Sequence, residues 1–241
     1  MSPYTKTDLM QHLKTLGVEA GDRLFIHSSY KSLGPVDGGA AAVVVALQHA
    51  VGSTGLILMP SFHLIDRDQR ARCWDWAATP STVGWLSEFF RRQPGTHRSD
   101  HYSHSVAARG PGAADFVSGH RRQEGLRSPW DLLPWGRTYG THSPMFKTYQ
   151  SGGKILMLGV DYQTSTYIHL VETIYWDHLR QTNPQASYPA LSRPLLGAYW
   201  DATGPLSRGP VGAAPCRLFA IDTYVDTLLA AVLATPQRYL L

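Results

Sequence analysis

Between Arg23 and Met59 the chain runs through a short alternating stretch, a turn-rich loop, an apolar stretch of helical length, a tight turn and a second apolar run. That order restricts the fold more than any other feature of the sequence. Arg23–His27 alternates as a half-buried strand does, and Ser28–Gly39 collects turn residues. Ala40–Val51 is long enough for a helix, Gly52–Gly55 breaks it, and Leu56–Met59 has the character of a buried strand. A strand, helix and strand in this spacing close as a right-handed crossover, so the two strands are parallel and lie close together. The expected class is α/β: a single domain over residues 1–241, with a largely parallel central sheet flanked by helices.

The remaining elements fit that frame. Thr5 is placed to cap a helix over Lys6–Leu16, whose Leu9, Leu13 and Leu16 recur at helical spacing before Gly17. Ser81–Gln93 carries Val83, Leu86, Phe89 and Phe90 and stops at Pro94-Gly95, which predicts a second surface helix. Gly110–Gly153 is rich in Gly, Pro, Ser and Trp and reads as loops, apart from a short helix near Ala113–His120. Ile155–Val160 is a buried strand followed directly by a helix over Thr166–Arg180. The C-terminal part reads as loops or short strands over Gln181–Gly209, a strand near Cys216–Phe219 and a helix over Asp222–Ala234.

Composition narrows the class. With 241 residues, 43% of them hydrophobic and 17% charged, the chain can bury a sizeable core and is neither disordered nor collagen-like. Its apolar runs fall short of the roughly 20 residues a membrane span needs, and Met1–Leu13 is too polar for a signal peptide, so a cytoplasmic protein is expected. Cys73 and Cys216 stand far apart, which excludes a disulfide scaffold and leaves two reduced thiols. The formal charge is +4, and 17 of the 22 basic residues are Arg. They are scattered, with nothing longer than Arg91-Arg92 and Arg121-Arg122, so a nucleic-acid stripe is not expected, while a phosphate-bearing small molecule stays open beside plain genomic composition.

Three stretches carry chemistry. Gly34-Pro35-Val36-Asp37-Gly38-Gly39 lies between strand and helix, where glycines allow close approach and a helix start offers free N–H groups to phosphate. It is neither the dinucleotide fingerprint nor a P-loop, and a plain connecting loop is the alternative. His97 to His104 holds three His and one Asp within eight residues, enough for zinc in number, but no partner motif stands elsewhere. Gly159 to Glu172 passes from a buried strand into a helix, at the strand end where parallel sheets bind ligands. Thr166, His169 and Glu172 are spaced three apart and share one helical face, so His169 is a candidate base oriented by a carboxylate, with a core or capping histidine as the alternative. Ser28 and Ser29 lack a Gly-x-Ser-x-Gly elbow, which gives a hydrolase triad little support.

In their order along the chain these pieces resemble the antibiotic N-acetyltransferase family, the aminoglycoside 3-N-acetyltransferases that use acetyl-coenzyme A. The run Gly21-Asp22-Arg23-Leu24-Phe25-Ile26-His27-Ser28-Ser29-Tyr30-Lys31-Ser32-Leu33-Gly34-Pro35-Val36-Asp37-Gly38-Gly39 looks like the family's opening strand and loop. Pro94-Gly95, Arg98-Ser99 and His101-Tyr102-Ser103-His104-Ser105 are similar to its Pro-Gly, Arg-Ser and His-Pro segment, with Tyr102 where proline is usual. Gly140 with Ser143-Pro144, Gly152 to Gly159, Thr166…His169…Glu172 and Gly209 to Phe219 follow in the family order.

The resemblance implies a bisubstrate acetyl transfer with His169 as general base. Glu172 is the partner acid, with Asp222 or Asp226 as alternatives, and Thr166 donates to the thioester oxygen or the departing thiolate. Cys216 is expected to be a packing residue. For coenzyme A the resemblance points to Ser28, Ser29, Lys31, Ser32, Leu33, Gly34, Val36, Gly38 and Gly39, with Arg98, His104 and Ser105 behind them; no metal is implied. The acceptor is a small-molecule amine, here an aminoglycoside amine at the 3-N position of 2-deoxystreptamine, held in a loop-rich region by Asp75, Asp161 and Gln163.

Gln163 departs from the family, which has Asp or Asn three residues before the threonine. Asp66, Asp68 and Asp177 are further carboxylates for a polycation, while Trp74, Trp76, Trp130 and Trp135 offer an aromatic acceptor pocket instead. The stretch between Pro60 and Pro94 is also shorter than in members acting on aminoglycosides. These departures keep open an N-acyltransferase of secondary metabolism acting on another amine, a metal-dependent hydrolase built on His97, His101 and His104, and a non-catalytic coenzyme A-binding relative. A monomer or homodimer is expected.

Overall fold

The computed structural model describes residues 2–241. Thr5 accepts the Asp8 N–H while the Asp8 carboxylate takes the Thr5 N–H, a capping box that starts α1 (Lys6–Leu16). β1 (Arg23–Ser28), α2 (Gly39–Val51) and β2 (Leu56–Pro60) form the expected crossover, with β1 and β2 parallel and adjacent. Then come α3 (Trp85–Arg91), the short β3 (His97–Arg98), β4 (Val106–Arg109), α4 (Ala113–Val117), α5 (Pro144–Gln150) and β5 (Lys154–Leu158). The chain ends through α6 (Tyr167–Thr182), α7 (Arg193–Thr203), β6 (Ser207–Val211), β7 (Ala214–Ala220), α8 (Ile221–Ala234) and α9 (Pro236–Tyr239).

All seven strands join one sheet in the order β3-β4-β2-β1-β5-β7-β6. Parallel pairing is confined to its centre, where β1 runs beside both β2 and β5. The outer pairs β2 with β4, β3 with β4, β5 with β7 and β6 with β7 are antiparallel, so the sheet is mixed rather than largely parallel. The edge pairs follow from their connections: β6 and β7 are joined by the tight turn Gly212-Ala213 and β3 returns to β4 without a helix, so neither pair has the crossover that parallel pairing needs.

Side chains alternate across the central strands and divide the core into two layers. Leu24, Ile26, Ile57, Met59 and Leu156 pack with α1, α2 and α3. Phe25, Leu58, Ile155 and Met157 pack with α6 and α8, where Ile168, Leu170 and Val171 are fully buried. Burial of each such side chain stabilises by about 1.5–3 kcal/mol, which fixes α6 against the sheet. Among the described residues no helix is long and apolar enough to cross a membrane.

Several elements differ from expectation. The helix predicted over Ser81–Gln93 begins only at Trp85, because Thr82 N–H is bonded to the Phe62 carbonyl and Gly84 sits at φ 137°, outside helical geometry. Val106–Arg109 is a strand, Pro144–Gln150 a helix, and the stretch after Gln181 read as loops or short strands contains the helix α7 as well as β6.

Candidate active site

The parallel strands end at Pro60, Ser28 and Leu158, and the crevice beyond their carboxyl ends is a cleft of about 320 Å³. Ser28, Pro60 and Val160 form its strand-end wall; His27, His104, Thr166, His169 and Arg193 also face it. At β1 the chain turns to β2 on one side and later to β5 on the other, so the cleft sits where the strand order reverses.

On one side the turn Tyr30–Leu33 docks on the end of β5. Ser29 N–H donates to the Leu158 carbonyl at 2.8 Å, and Ser32 Oγ to the Gly159 carbonyl at 3.3 Å. Gly159 has φ 67°, and a Cβ there would lie 2.5 Å from Ser32 Cβ, so this approach requires glycine. Beyond the turn, α2 starts at Gly38 with no side-chain cap and no acidic residue in its first turn. Its first N–H groups are therefore unclaimed by side chains, an arrangement that fits a pyrophosphate. Ser28, whose Oγ is buried without a hydrogen-bond partner, lines the cleft.

On the other side, α6 carries the titrating groups. His169 Nδ1 is 2.5 Å from Glu172 Oε2. Glu172 is 3% exposed, and its carboxylate also accepts from the Tyr188 hydroxyl at 3.0 Å and the Leu191 N–H at 2.9 Å. Three donors surround the carboxylate and hold it against the imidazole. His169 Nε2 points the other way, 2.5 Å from the Arg193 guanidinium. A guanidinium only donates, so Nε2 presents its lone pair and Nδ1 carries the proton. Trp130 packs edge-on against His169, ring centroids 4.8 Å apart. Thr166, at the start of α6, lies with its hydroxyl 3.3 Å from His27 Nε2. Burial pushes the His27 pKa down to about 3, with Arg193 adding to the shift, so this imidazole is neutral.

The other residues singled out in the sequence divide. Ser29, Lys31, Ser32, Gly34, Val36 and Gly38 lie on the segment entering α2, Gly39 opens the helix and none of them lines the cleft, whereas the Leu33 side chain is fully buried in the core and offers a ligand only its backbone. His104 reaches the cleft floor. Arg98 and Ser105 do not: Arg98 donates to Ser105 Oγ and to the carbonyls of Trp76, Thr79 and Ser61, and stacks over Trp74, while Ser105 donates to Ser61. Their polar atoms tie residues 61–79 to β3 instead of meeting a phosphate.

Gln163 lines the cleft, but Asp75 and Asp161 do not; each carboxylate caps its own turn. Asp226 accepts from Tyr149 and Asp222 from Thr223, so neither serves His169. Cys216 is buried, with its thiol pKa pushed up to about 11. Of the histidine-rich loop, His97 is exposed while His101 Nδ1 accepts two backbone N–H groups. Among the described residues no three His, Cys, Asp or Glu side chains are arranged to hold a metal.

A family profile described as aminoglycoside 3-N-acetyltransferase matches residues 25–232. The chain belongs to that family. Aminoglycoside N(3)-acetyltransferase IV of a Salmonella species is 32% identical over 254 residues, covering 98% of this chain and 90% of its own. The crystal structure of the YokD protein of Bacillus subtilis superposes with TM-score 0.79 at 26% identity, covering 98% of this chain and 96% of its own. Aminoglycoside acetyltransferase AAC(3)-IVa, solved in complex with apramycin, superposes with TM-score 0.77 at 26% identity, covering 99% and 96%. The resemblance drawn from the motifs is thus borne out, and with it an enzyme of the acetyl-coenzyme A-dependent N-acetyltransferase type.

Sequence reasoning missed three residues that complete the site in this acetyltransferase: His27, Tyr188 and Arg193. Arg193 had a readable signal. Ser192 caps α7 by accepting the Leu195 N–H, Pro194 sits in the first turn, and Leu196 and Trp200 are buried one turn apart.

Proposed function

We propose that the protein transfers the acetyl group of acetyl-coenzyme A directly to an amine, with His169 as general base. The observation that carries this reading is the orientation of one imidazole, whose Nδ1–H is held by the buried Glu172 while its Nε2 lone pair is turned toward Arg193 in the cleft lining. An amine is mostly protonated at neutral pH and attacks only through a free lone pair, so a base at that position is what the reaction needs. As the new N–C bond forms and the C–S bond breaks, Nε2 takes the amine proton and Glu172 stabilises the imidazolium. The departing thiolate takes that proton back from the imidazolium and leaves as a free thiol, which returns His169 to its neutral form. Thr166 is assigned the hydroxyl that donates to the thioester oxygen or the departing sulfur.

The thioester supplies the acyl group. Its pyrophosphate is assigned to the start of α2, with Lys31 exposed nearby, and its pantetheine arm to Ser28, Ser29 and Ser32. Because acetyl-coenzyme A is a metabolite of the cell interior, this reading assigns the reaction to the cytoplasm.

The relatives' names make the 3-amino group of a 2-deoxystreptamine aminoglycoside the first acceptor to test. A second reading, an amine of another class, is favoured by the cleft itself: no Asp or Glu lines it, and Arg193 does. The test is thiol release from acetyl-coenzyme A by the purified protein with gentamicin, kanamycin and neomycin and with a panel of simple amines. Amine-dependent release supports acetyl transfer, and its pattern decides between the readings. Coenzyme A binding without release for any amine overturns the catalytic reading.

A further inference from the structure

The guanidinium of Arg193 occupies the proton-accepting position of the proposed base. One nitrogen lies 2.5 Å from His169 Nε2 and the other donates to the Gln163 carbonyl. Among the described residues it forms no ion pair; the basic side chains that do are Arg91, Arg121, His142, Lys154, His169, Arg208 and Arg217. Nothing anionic faces it from the cleft. Glu172 spends its oxygens on His169, Tyr188 and Leu191, and Asp161 caps its own turn. His27 and His104, on the cleft floor, are held neutral by burial. Arg193 is therefore a half-buried cation without a counter-ion at the mouth of a cleft with no carboxylate in its lining.

A planar guanidinium with donors to spare is a receptor for a carboxylate or phosphate, which it binds through two parallel hydrogen bonds. A polycation entering the same cleft meets a like charge and no acid.

Resting on the acetyl-transfer reading above, we propose that the acceptor amine carries an anionic group, a carboxylate or a phosphate, and that Arg193 binds it. The anion draws the guanidinium off His169 Nε2 and so uncovers the base as the substrate seats. An amine without an anion competes with Arg193 for the same lone pair. Selection and activation then come from one contact, and binding energy remote from the nitrogen is used to assemble the catalytic group.

The test compares matched amines with acetyl-coenzyme A on the full chain: β-alanine against β-alaninamide, O-phosphoethanolamine against ethanolamine, and kanamycin as the polycation. The expected result is kcat/KM at least about tenfold higher for one anionic member than for its neutral partner and for kanamycin, as a charge-assisted bidentate contact supplies. Which pair shows the gap distinguishes carboxylate from phosphate. Arg193→Ala lowers kcat/KM for the anionic member by about tenfold and raises it for the neutral one; Arg193→Lys keeps part of the preference. A merely structural role would lower both together.

A parallel readout is the His169 imidazole nitrogen resonance, which β-alanine, O-phosphoethanolamine or inorganic phosphate should shift in the native protein and not in Arg193→Ala. The proposal is overturned if kanamycin or the neutral amines are preferred, if Arg193→Ala leaves the preference intact, or if no anionic probe is turned over or shifts that resonance. Thiol release that survives His169→Ala would instead overturn the acetyl-transfer mechanism on which the proposal rests, and the two failures are read separately.

Discussion

Glu172 Oε2 lies 2.5 Å from Nδ1 of His169, one helical turn away, and the carboxylate is shut off from solvent while the imidazole still reaches the cleft. In the proposed mechanism the acid fixes the tautomer and stabilises the imidazolium without competing for the proton-accepting nitrogen. Glu172→Gln preserves shape and most of the hydrogen bonds to Tyr188 and Leu191 but removes the charge. It should lower kcat by roughly 10²–10⁴-fold with coenzyme A binding retained. Steady-state kinetics beside calorimetric binding checks this, and an unchanged kcat would remove Glu172 from the mechanism.

Acid should unfold this protein at unusually mild pH. Burial lowers the pKa of His27 and His120 from 6.5 to about 3 and pushes those of His101 and His104 well down, so all four are neutral when folded. On unfolding they regain ordinary affinity for protons, and the unfolded state binds more of them below pH 6.5. The stability is fully present above about 6.5 and falls as pH drops toward 3, by about 1.4 kcal/mol per histidine per pH unit within that window. Against a total of about 5–15 kcal/mol this is large. Thermal midpoints should fall steeply between pH 6.5 and 5, and a flat profile down to pH 4.5 would contradict the buried neutral cluster.

Gly159 holds the Tyr30–Leu33 turn, to which the proposal assigns the coenzyme, against the end of β5. Its positive φ and the 2.5 Å approach a Cβ would make to Ser32 mean that Gly159→Ala must displace the Tyr30–Leu33 turn. The expected cost is about 1–3 kcal/mol of stability, with coenzyme A binding weakened more than acceptor binding. Equal loss of both, or none, would separate this turn from the coenzyme.

Cys216 sits in β7 with its thiol donating to the Ala214 carbonyl and its pKa pushed up to about 11, which leaves almost no thiolate at neutral pH. Cys216→Ser should retain kcat, and mass spectrometry of the enzyme mixed with acetyl-coenzyme A should find no acetyl adduct on Cys216. An adduct formed at the rate of turnover would replace direct transfer with a covalent route.

The central crossover was readable because its apolar runs are bounded by glycine-rich turns, and the spacing of His169 and Glu172 places both on one face of α6 wherever that helix packs. The antiparallel flanks were not readable, since a strand's own pattern of apolar residues does not say which neighbour it pairs with or in which direction. Arg98 misled for a related reason: its motif is visible in sequence, but only the fold shows that its donors are taken by the carbonyls of Ser61, Trp76 and Thr79. Arg193 lay in a stretch whose Pro194 and Gly197 suggest a loop, although the Ser192 cap marks a helix start, and its contact with His169 crosses 24 residues.

The most direct test of the account compares native protein with His169→Ala in free-thiol release from acetyl-coenzyme A, with coenzyme A affinity measured on the same samples. The account predicts equal affinity and a loss of turnover of at least about 10²-fold. Turnover that survives the substitution, with the coenzyme still bound, would contradict it.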